Sequence, residues 1–219
     1  MDLLDFARGP ALQAALVVFV FGTLWRLAGV LLLPRIGDRS APREGAAPPW
    51  RSALGSIVRR MWPRRELAGP TLFVTVNSYV FHVGLAVVVF GFGPHVMFIR
   101  DLLGLSWPTL PSNLVFGVGV VTLVSLLAVL GRRLTHPVTR LLSRASDYIG
   151  WALTALPVAT GLAAVAHVGL RYETLLALHL LSIAAFLLWF PFGTLMHALL
   201  VFFSRAATGM RFGHRGVDA

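Results

Sequence analysis

Apolar residues run along this chain in five long blocks, separated by segments rich in Arg, Gly and Pro. A helix needs about 20 apolar residues to cross ~30 Å of hydrocarbon. The blocks at about 11–33, 71–93, 113–131, 149–167 and 174–203 reach that length. The pattern predicts an all-α integral membrane protein, a five-transmembrane-helix bundle spanning residues 1–219, with no internal repeat. Met1–Pro10 carries Asp2 and Asp5 beside Arg8 instead of a basic n-region. The first block is also longer than a signal-peptide h-region, so it is expected to be a retained span.

Composition excludes the soluble alternative. The 219 residues are 57% hydrophobic and 13% charged, with a mean hydropathy of +0.77. A soluble domain is roughly 45–50% apolar and about 25% charged, and a disordered chain is poorer still in apolar residues.

Charge adds an orientation. All nineteen basic residues are Arg, and the formal net charge is +10. Nucleic-acid binding would gather them on one soluble face, but here they fall between apolar runs. The first connection, residues 34–70, holds Arg35, Arg39, Arg43, Arg51, Arg59, Arg60, Arg64 and Arg65; the third holds Arg132, Arg133, Arg140 and Arg144; the tail holds Arg205, Arg211 and Arg215. Those fifteen oppose Arg8, Arg100 and Arg171 on the other side, with Arg26 inside the first span. The positive-inside rule then predicts the N-terminus outside and the C-terminus cytoplasmic. Residues 34–70 become a basic cytoplasmic loop, irregular around Ala41–Pro49. The Trp50–Trp62 stretch has the pattern of a basic amphipathic helix at the membrane surface. Its arginines suit either a solvated topology signal or a docking face for a cytoplasmic partner.

Candidate chemistry lies with histidine. Cysteine is absent, so the chain offers no disulfide, thiolate metal site or iron–sulfur cluster. Of seven histidines, His82, His167, His179 and His197 lie in apolar blocks, where ionisable residues are costly and point to function. In an unbroken fifth helix, His179 and His197 would be eighteen residues apart. That is five turns, with both rings on one stripe ~27 Å apart. Two imidazoles at opposite depths suit two haems stacked across a bilayer, since neutral imidazole is a good axial ligand.

His82 is the expected partner of His197. Gly84, Gly91 and Gly93 nearby suit either close approach of a macrocycle or close helix packing. For His179 two partners are open, His95 and His167, with His95 preferred. It lies thirteen residues beyond His82, on the wrong face of a continuous helix, but Gly91-Phe92-Gly93-Pro94 can re-aim it. His136 and His214 are expected to be solvated.

At these residues the chain resembles the membrane cytochrome b (gamma) subunit of respiratory nitrate reductase and related dihaem quinol-coupled cytochromes. The match is strongest at Leu178-His179-Leu180, continuing through Phe186-Leu187-Leu188-Trp189-Phe190-Pro191-Phe192 to Leu195-Met196-His197. Phe81-His82-Val83-Gly84-Leu85 and Gly131-Arg132-Arg133-Leu134 with Pro137 and Ala145-Ser146-Asp147 also match. The resemblance covers nearly the whole chain. It implies five helices and two b-type haems in the cell (inner) membrane. It also implies a quinone/quinol site near the outer haem, and a cytoplasmic iron–sulfur subunit with its catalytic subunit docked near the inner one.

On the same footing His82 and His197 would ligate the inner haem iron and His179 the outer. The family's second outer ligand falls where this chain has Phe92, and His95 aligns with a Pro-His in the loop beyond. A family Lys associated with quinol binding falls near Trp107–Asn113, and this chain has no Lys. His95, Asn113 and His167 are the candidate polar contacts for a quinone head group.

The expected role is therefore electron transfer between the quinone pool and a partner oxidoreductase. The chain itself lacks a substrate-reducing domain. The partner could be nitrate reductase-like, a hydrogenase or a sulfur-compound enzyme. The alternatives are a haem-free membrane anchor or assembly subunit, and a transporter using intramembrane His as a proton relay. Against the transporter, the spans hold no Asp or Glu to pair with the histidines.

Overall fold

The computed structural model describes residues 2–34 and 40–217. Arg35 and Arg39, two of the predicted loop arginines, lie outside the described residues. The described residues are helical, with no strand among them. We number the helices α1 (Leu3–Leu31, containing a π-helical turn at Ala7–Ala11), α2 (Pro49–Arg59), α3 (Arg65–Gly91), α4 (Gly93–Leu103), α5 (Ser112–Thr135), α6 (Pro137–Leu142), α7 (Ala145–Ala166), α8 (Tyr172–Trp189) and α9 (His197–His214). A 3₁₀ turn, Thr194–Met196, precedes α9. Five of these helices, α1, α3, α5, α7 and α8, are long and apolar enough to cross a membrane.

The five predicted blocks map onto these helices, but one boundary differs in a way that matters. The fifth span was expected to continue to 203, and α8 ends at Trp189. Pro191 has no N–H to bond back along the helix, and Gly193 is extended at φ −95°, ψ −174°. Pro191 is also buried, seated where a side chain on Gly22 of α1 would stand. Phe19 and Phe190 pack edge to face beside it, with ring centroids 5.1 Å apart. The break is therefore locked by packing against α1. His179 and His197 do not share one continuous helical stripe, and the five-turn spacing does not apply.

The bundle core is small and lies between α3, α5 and α7. Leu126, Ala155 and Val158 are buried there against Phe81, Leu85, Leu123, Trp151 and Leu162. Polar groups knit these helices together, as polar side chains between membrane helices commonly do. Asn77 Nδ2 donates to the Ser125 carbonyl at 3.0 Å, and Ser125 Oγ donates back to Asn77 Oδ1 at 2.9 Å. The Trp151 indole donates to the Leu126 carbonyl at 2.8 Å. Gly84 is buried with its open side against Thr122 of α5. Its missing side chain thus serves close approach of α3 and α5, not of a flat ligand. Phe21, Leu24 and Trp25 are among the large apolar side chains left exposed on the outside of the bundle, which is where lipid would satisfy them.

The two amphipathic pieces pack on each other. Ser52 and Ser56 of α2 abut Gly209 and Gly213 of α9 so closely that a Cβ at either glycine would overlap them. This is a small-x-x-x-small contact in which both helices present small residues at a four-residue spacing. The opposite side of α2 carries Trp50, Leu54 and Val58, exposed by 65%, 56% and 69%. A charged cluster ties the start of α7 to the end of α5. Asp147 accepts from the Arg144 backbone N–H at 2.9 Å and pairs with Arg133 at 3.7 Å.

Candidate functional site: two facing histidine pairs

The break between α3 and α4 shapes the first pair. Helix α3 stops at Gly91, Phe92 is extended, and Pro94 occupies the first turn of α4, where its missing N–H costs nothing. The last carbonyls of α3 have no intrahelical partners. The connection after α4 supplies some. Trp107 Nε1 donates to the Phe90 carbonyl at 2.6 Å and Leu110 N–H to Gly91 at 2.9 Å. Trp107 and Leu110 thus cap a helix end. A third carbonyl, Val88, is bonded by His95 Nδ1 at 2.9 Å. That bond aims the His95 ring at α8.

His95 and His179 lie with ring centroids 6.1 Å apart and planes within 15° of parallel. Burial pushes the His95 imidazole below its ordinary pKa, so it is neutral near pH 7, although the Val88 carbonyl acts in the opposite sense. On α8, His179 packs against Gly161 of α7; a Cβ there would come within 3.0 Å of His179 Cε1. Thr160 Oγ1 sits 3.3 Å from His179 Nδ1 while donating to the Leu156 carbonyl at 2.7 Å. With its proton on Leu156, it faces His179 as an acceptor. Both rings line an apolar cavity of about 440 Å³ walled by side chains such as Val88, Phe116, Leu162 and Ile183.

The second pair is His82 and His197, with ring centroids 6.2 Å apart and planes at 88°. The turn forced by Pro191 places His197 at the first residue of α9, where its Nδ1 bonds the Thr194 carbonyl at 2.7 Å. His82 Nδ1 bonds the Ser78 carbonyl one turn back at 2.7 Å. Both rings are exposed. His82 lies nine residues before the end of α3, roughly 14 Å down the helix axis, so the two pairs occupy different levels of the bundle.

His167 is not part of a pair. It caps α7 in the left-handed conformation (φ 54°), bonds the Val165 carbonyl at 3.0 Å and stacks on Tyr172 at 5.2 Å. With Tyr172 and Ser112 it lines the same cavity as His95 and His179, whereas Asn113 does not. His136 accepts from Thr139 N–H, and His214 Nε2 meets the Ser40 carbonyl at 2.9 Å. Among the described residues there is no group of three or more His, Cys, Asp or Glu arranged to hold a metal ion; His82, His95, His179 and His197 face each other in twos.

Sequence reasoning passed over several residues of this site. Thr160, Gly161, Ser112 and Tyr172 carry no motif of their own and gain meaning only from what they face. The pairing of Ser52 and Ser56 with Gly209 and Gly213 did have a signal, the Gly-x-x-x-Gly spacing in Gly209-Met210-Arg211-Phe212-Gly213.

Fold and site together describe a helical protein with five candidate membrane-spanning helices and two facing histidine pairs at different levels. A protein from Nitratidesulfovibrio vulgaris strain Hildenborough is 30% identical over 218 residues, covering 94% of this chain and 92% of that one. The chain belongs to the same family as that protein. No family model matches the chain, and no solved structure matches it.

Proposed function

We infer that this protein is a dihaem b-type membrane cytochrome, an electron-transfer subunit linking the quinone pool to a cytoplasmic oxidoreductase. The observation that carries the reading is the separation within each pair. Two imidazoles bound on opposite sides of one metal ion, each at about 2.1 Å, have ring centroids roughly 6–6.5 Å apart. Both pairs have that spacing, at 6.1 Å and 6.2 Å.

Hydrogen bonding supports the same reading. Nδ1 of His82, His95 and His197 bonds a backbone carbonyl, and that of His179 faces Thr160. This fixes the tautomer that leaves Nε2 as a lone pair, as a metal-binding histidine requires. The donor set also suits haem better than other metals. Two imidazoles with no carboxylate or thiolate nearby satisfy an iron whose other four ligands come from a macrocycle, but under-coordinate zinc.

His82 and His197 would hold one haem, and His95 and His179 the other. When bound, haem supplies reversible one-electron chemistry. The chain's own residues orient the imidazoles, exclude water from the His95–His179 level with an apolar wall, and offer His167, Tyr172 and Ser112 as polar contacts for a quinone head group. The Arg distribution supports a cell-membrane orientation with the N-terminus outside and the His82–His197 pair toward the cytoplasm. The basic cytoplasmic face would receive an iron–sulfur subunit and its catalytic subunit.

Pyridine haemochrome analysis of purified protein tests the reading directly. It requires two haem b per chain, and fewer than one overturns it. His197→Ala should remove one haem and leave the other; an unchanged spectrum favours a haem-free anchor.

A further inference from the structure

We propose that the basic cavity between the 43–47 segment, α2 and α9 is a binding site for the phosphate headgroup of an anionic phospholipid. The proposal is independent of the haem reading, because none of these residues belongs to either histidine pair. The cavity holds about 440 Å³, and among the described residues its lining includes Arg43, Arg51 and Arg59 with Glu44. Much of the remaining wall is glycine, including Gly209, Gly213 and Gly216. These glycines let the Ser52 and Arg43 side chains pack close along the cavity wall.

All three arginines are exposed, and two of them, Arg43 and Arg59, are held by neighbouring groups. Arg43 N–H donates to the His214 carbonyl at 3.0 Å and its Nη1 to the Gly216 carbonyl at 3.2 Å. The chain lies flat there because Gly216 takes φ +66° with the Arg43 side chain across it, where any Cβ would collide. Arg59 folds back over Gly55, with Nη1 within 3.2 Å of where a Cβ would stand. Guanidinium groups converging on one cavity suit a phosphate, whose oxygens accept paired N–H donors.

What singles out a lipid is the surface beside the cavity. Trp50, Leu54 and Val58 form an exposed apolar stripe on α2 at four-residue spacing. Arg51 and Arg59 each follow a stripe residue and so turn about 100° away from it. A helix with an apolar stripe flanked by arginines lies in the membrane interface, acyl chains against the stripe and headgroups against the cations. A soluble phosphate would use the cavity and ignore the stripe. An acidic protein partner would use the charges without needing a cavity. A phospholipid uses both.

The test is lipid retention by the purified full-length protein, read by native mass spectrometry from micelles doped with equal phosphatidylglycerol and phosphatidylcholine. The expected result is selective retention of phosphatidylglycerol. Removing two arginine charges (Arg51→Gln with Arg59→Gln) should weaken it roughly 25-fold, at about fivefold per charge near the surface. Glu44→Gln should strengthen retention, which keeps the proposal open to test if the double variant fails to fold. Trp50→Ala should weaken it without altering the charge. Equal retention of both lipids, or unchanged phosphatidylglycerol retention in folded double variant, overturns the site. Displacement of the lipid by millimolar inorganic phosphate, with no effect of Trp50→Ala, assigns the cavity to a soluble phosphate and overturns the lipid. If the double variant loses only a protein subunit and keeps its lipid, the face is a docking surface and the proposal also fails.

Discussion

The imidazole planes of His95 and His179 lie within 15° of parallel, whereas those of His82 and His197 cross at 88°. If each pair holds a haem iron, the two sites differ in the one feature that most affects a low-spin ferric centre, the relative orientation of the ligand π-orbitals. Parallel imidazoles lift the degeneracy of the iron orbitals, and crossed imidazoles leave it nearly intact. Electron paramagnetic resonance of the oxidised protein should show one rhombic signal and one strongly anisotropic signal. His197→Ala should abolish the anisotropic one alone. Two identical signals would contradict the geometry.

Gly161 makes room for the His179 ring. A Cβ there would stand 3.0 Å from Cε1, tighter than ordinary contact. Gly161→Ala should reduce occupancy of the His95–His179 haem, and Gly161→Val should empty it. The signal of the other pair should survive in both, as quantitative haem analysis and difference spectra would reveal. Uniform loss of both haems would point instead to global misfolding.

Thr160 Oγ1 lies 3.3 Å from His179 Nδ1, and a hydrogen bond accepted from Nδ1–H raises the basicity of the other ring nitrogen and so favours the ferric state of an iron it ligates. Thr160→Val keeps the shape and deletes the acceptor. The midpoint potential of the His95–His179 haem should rise in a spectroelectrochemical titration, with the other midpoint unmoved. Outer-shell changes of this kind typically cost 10–100-fold in metal affinity, so haem retention on dialysis should fall as well.

The reciprocal bonds between Asn77 and Ser125 couple α3 to α5 inside the bundle. Hydrogen bonds between membrane helices contribute about 0.6–2 kcal/mol. Asn77→Ala should destabilise the protein by that order in reversible unfolding from mixed micelles. In a double-mutant cycle, adding Ser125→Ala should cost less than the sum of the single changes. Strict additivity would show that the pair is not coupled.

Much of this was legible from the chain alone, because hydropathy acts over whole segments. Five apolar runs appear as five candidate spans, though α3 begins at Arg65, six residues before its apolar block. The basic stretch after Pro48 is a helix with one apolar stripe. The four histidines singled out as candidate ligands fall into two facing pairs, but His197 arrives by a route that periodicity did not show. Phe190–Phe203 is apolar enough to continue a helix, and Pro191 can sit in a kinked helix or end one. The packing of Pro191 against Gly22 and of Phe190 against Phe19, contacts between opposite ends of the chain, ends it.

The order of apolar and arginine-rich segments determined by itself that this protein is helical with five candidate membrane-spanning segments, because transfer from water to lipid depends on composition summed along each segment. Only the tertiary structure decided which histidines face each other and at what angle. Those outcomes rest on single backbone events and long-range neighbours: the stop at Gly91, the carbonyl of Val88, the turn at Pro191 and the space at Gly161. It likewise turned scattered loop arginines into one cavity, by closing Ser52 and Ser56 onto Gly209 and Gly213 from segments about 150 residues apart. Side chains that distant in sequence share no local pattern, so close packing alone brings them together.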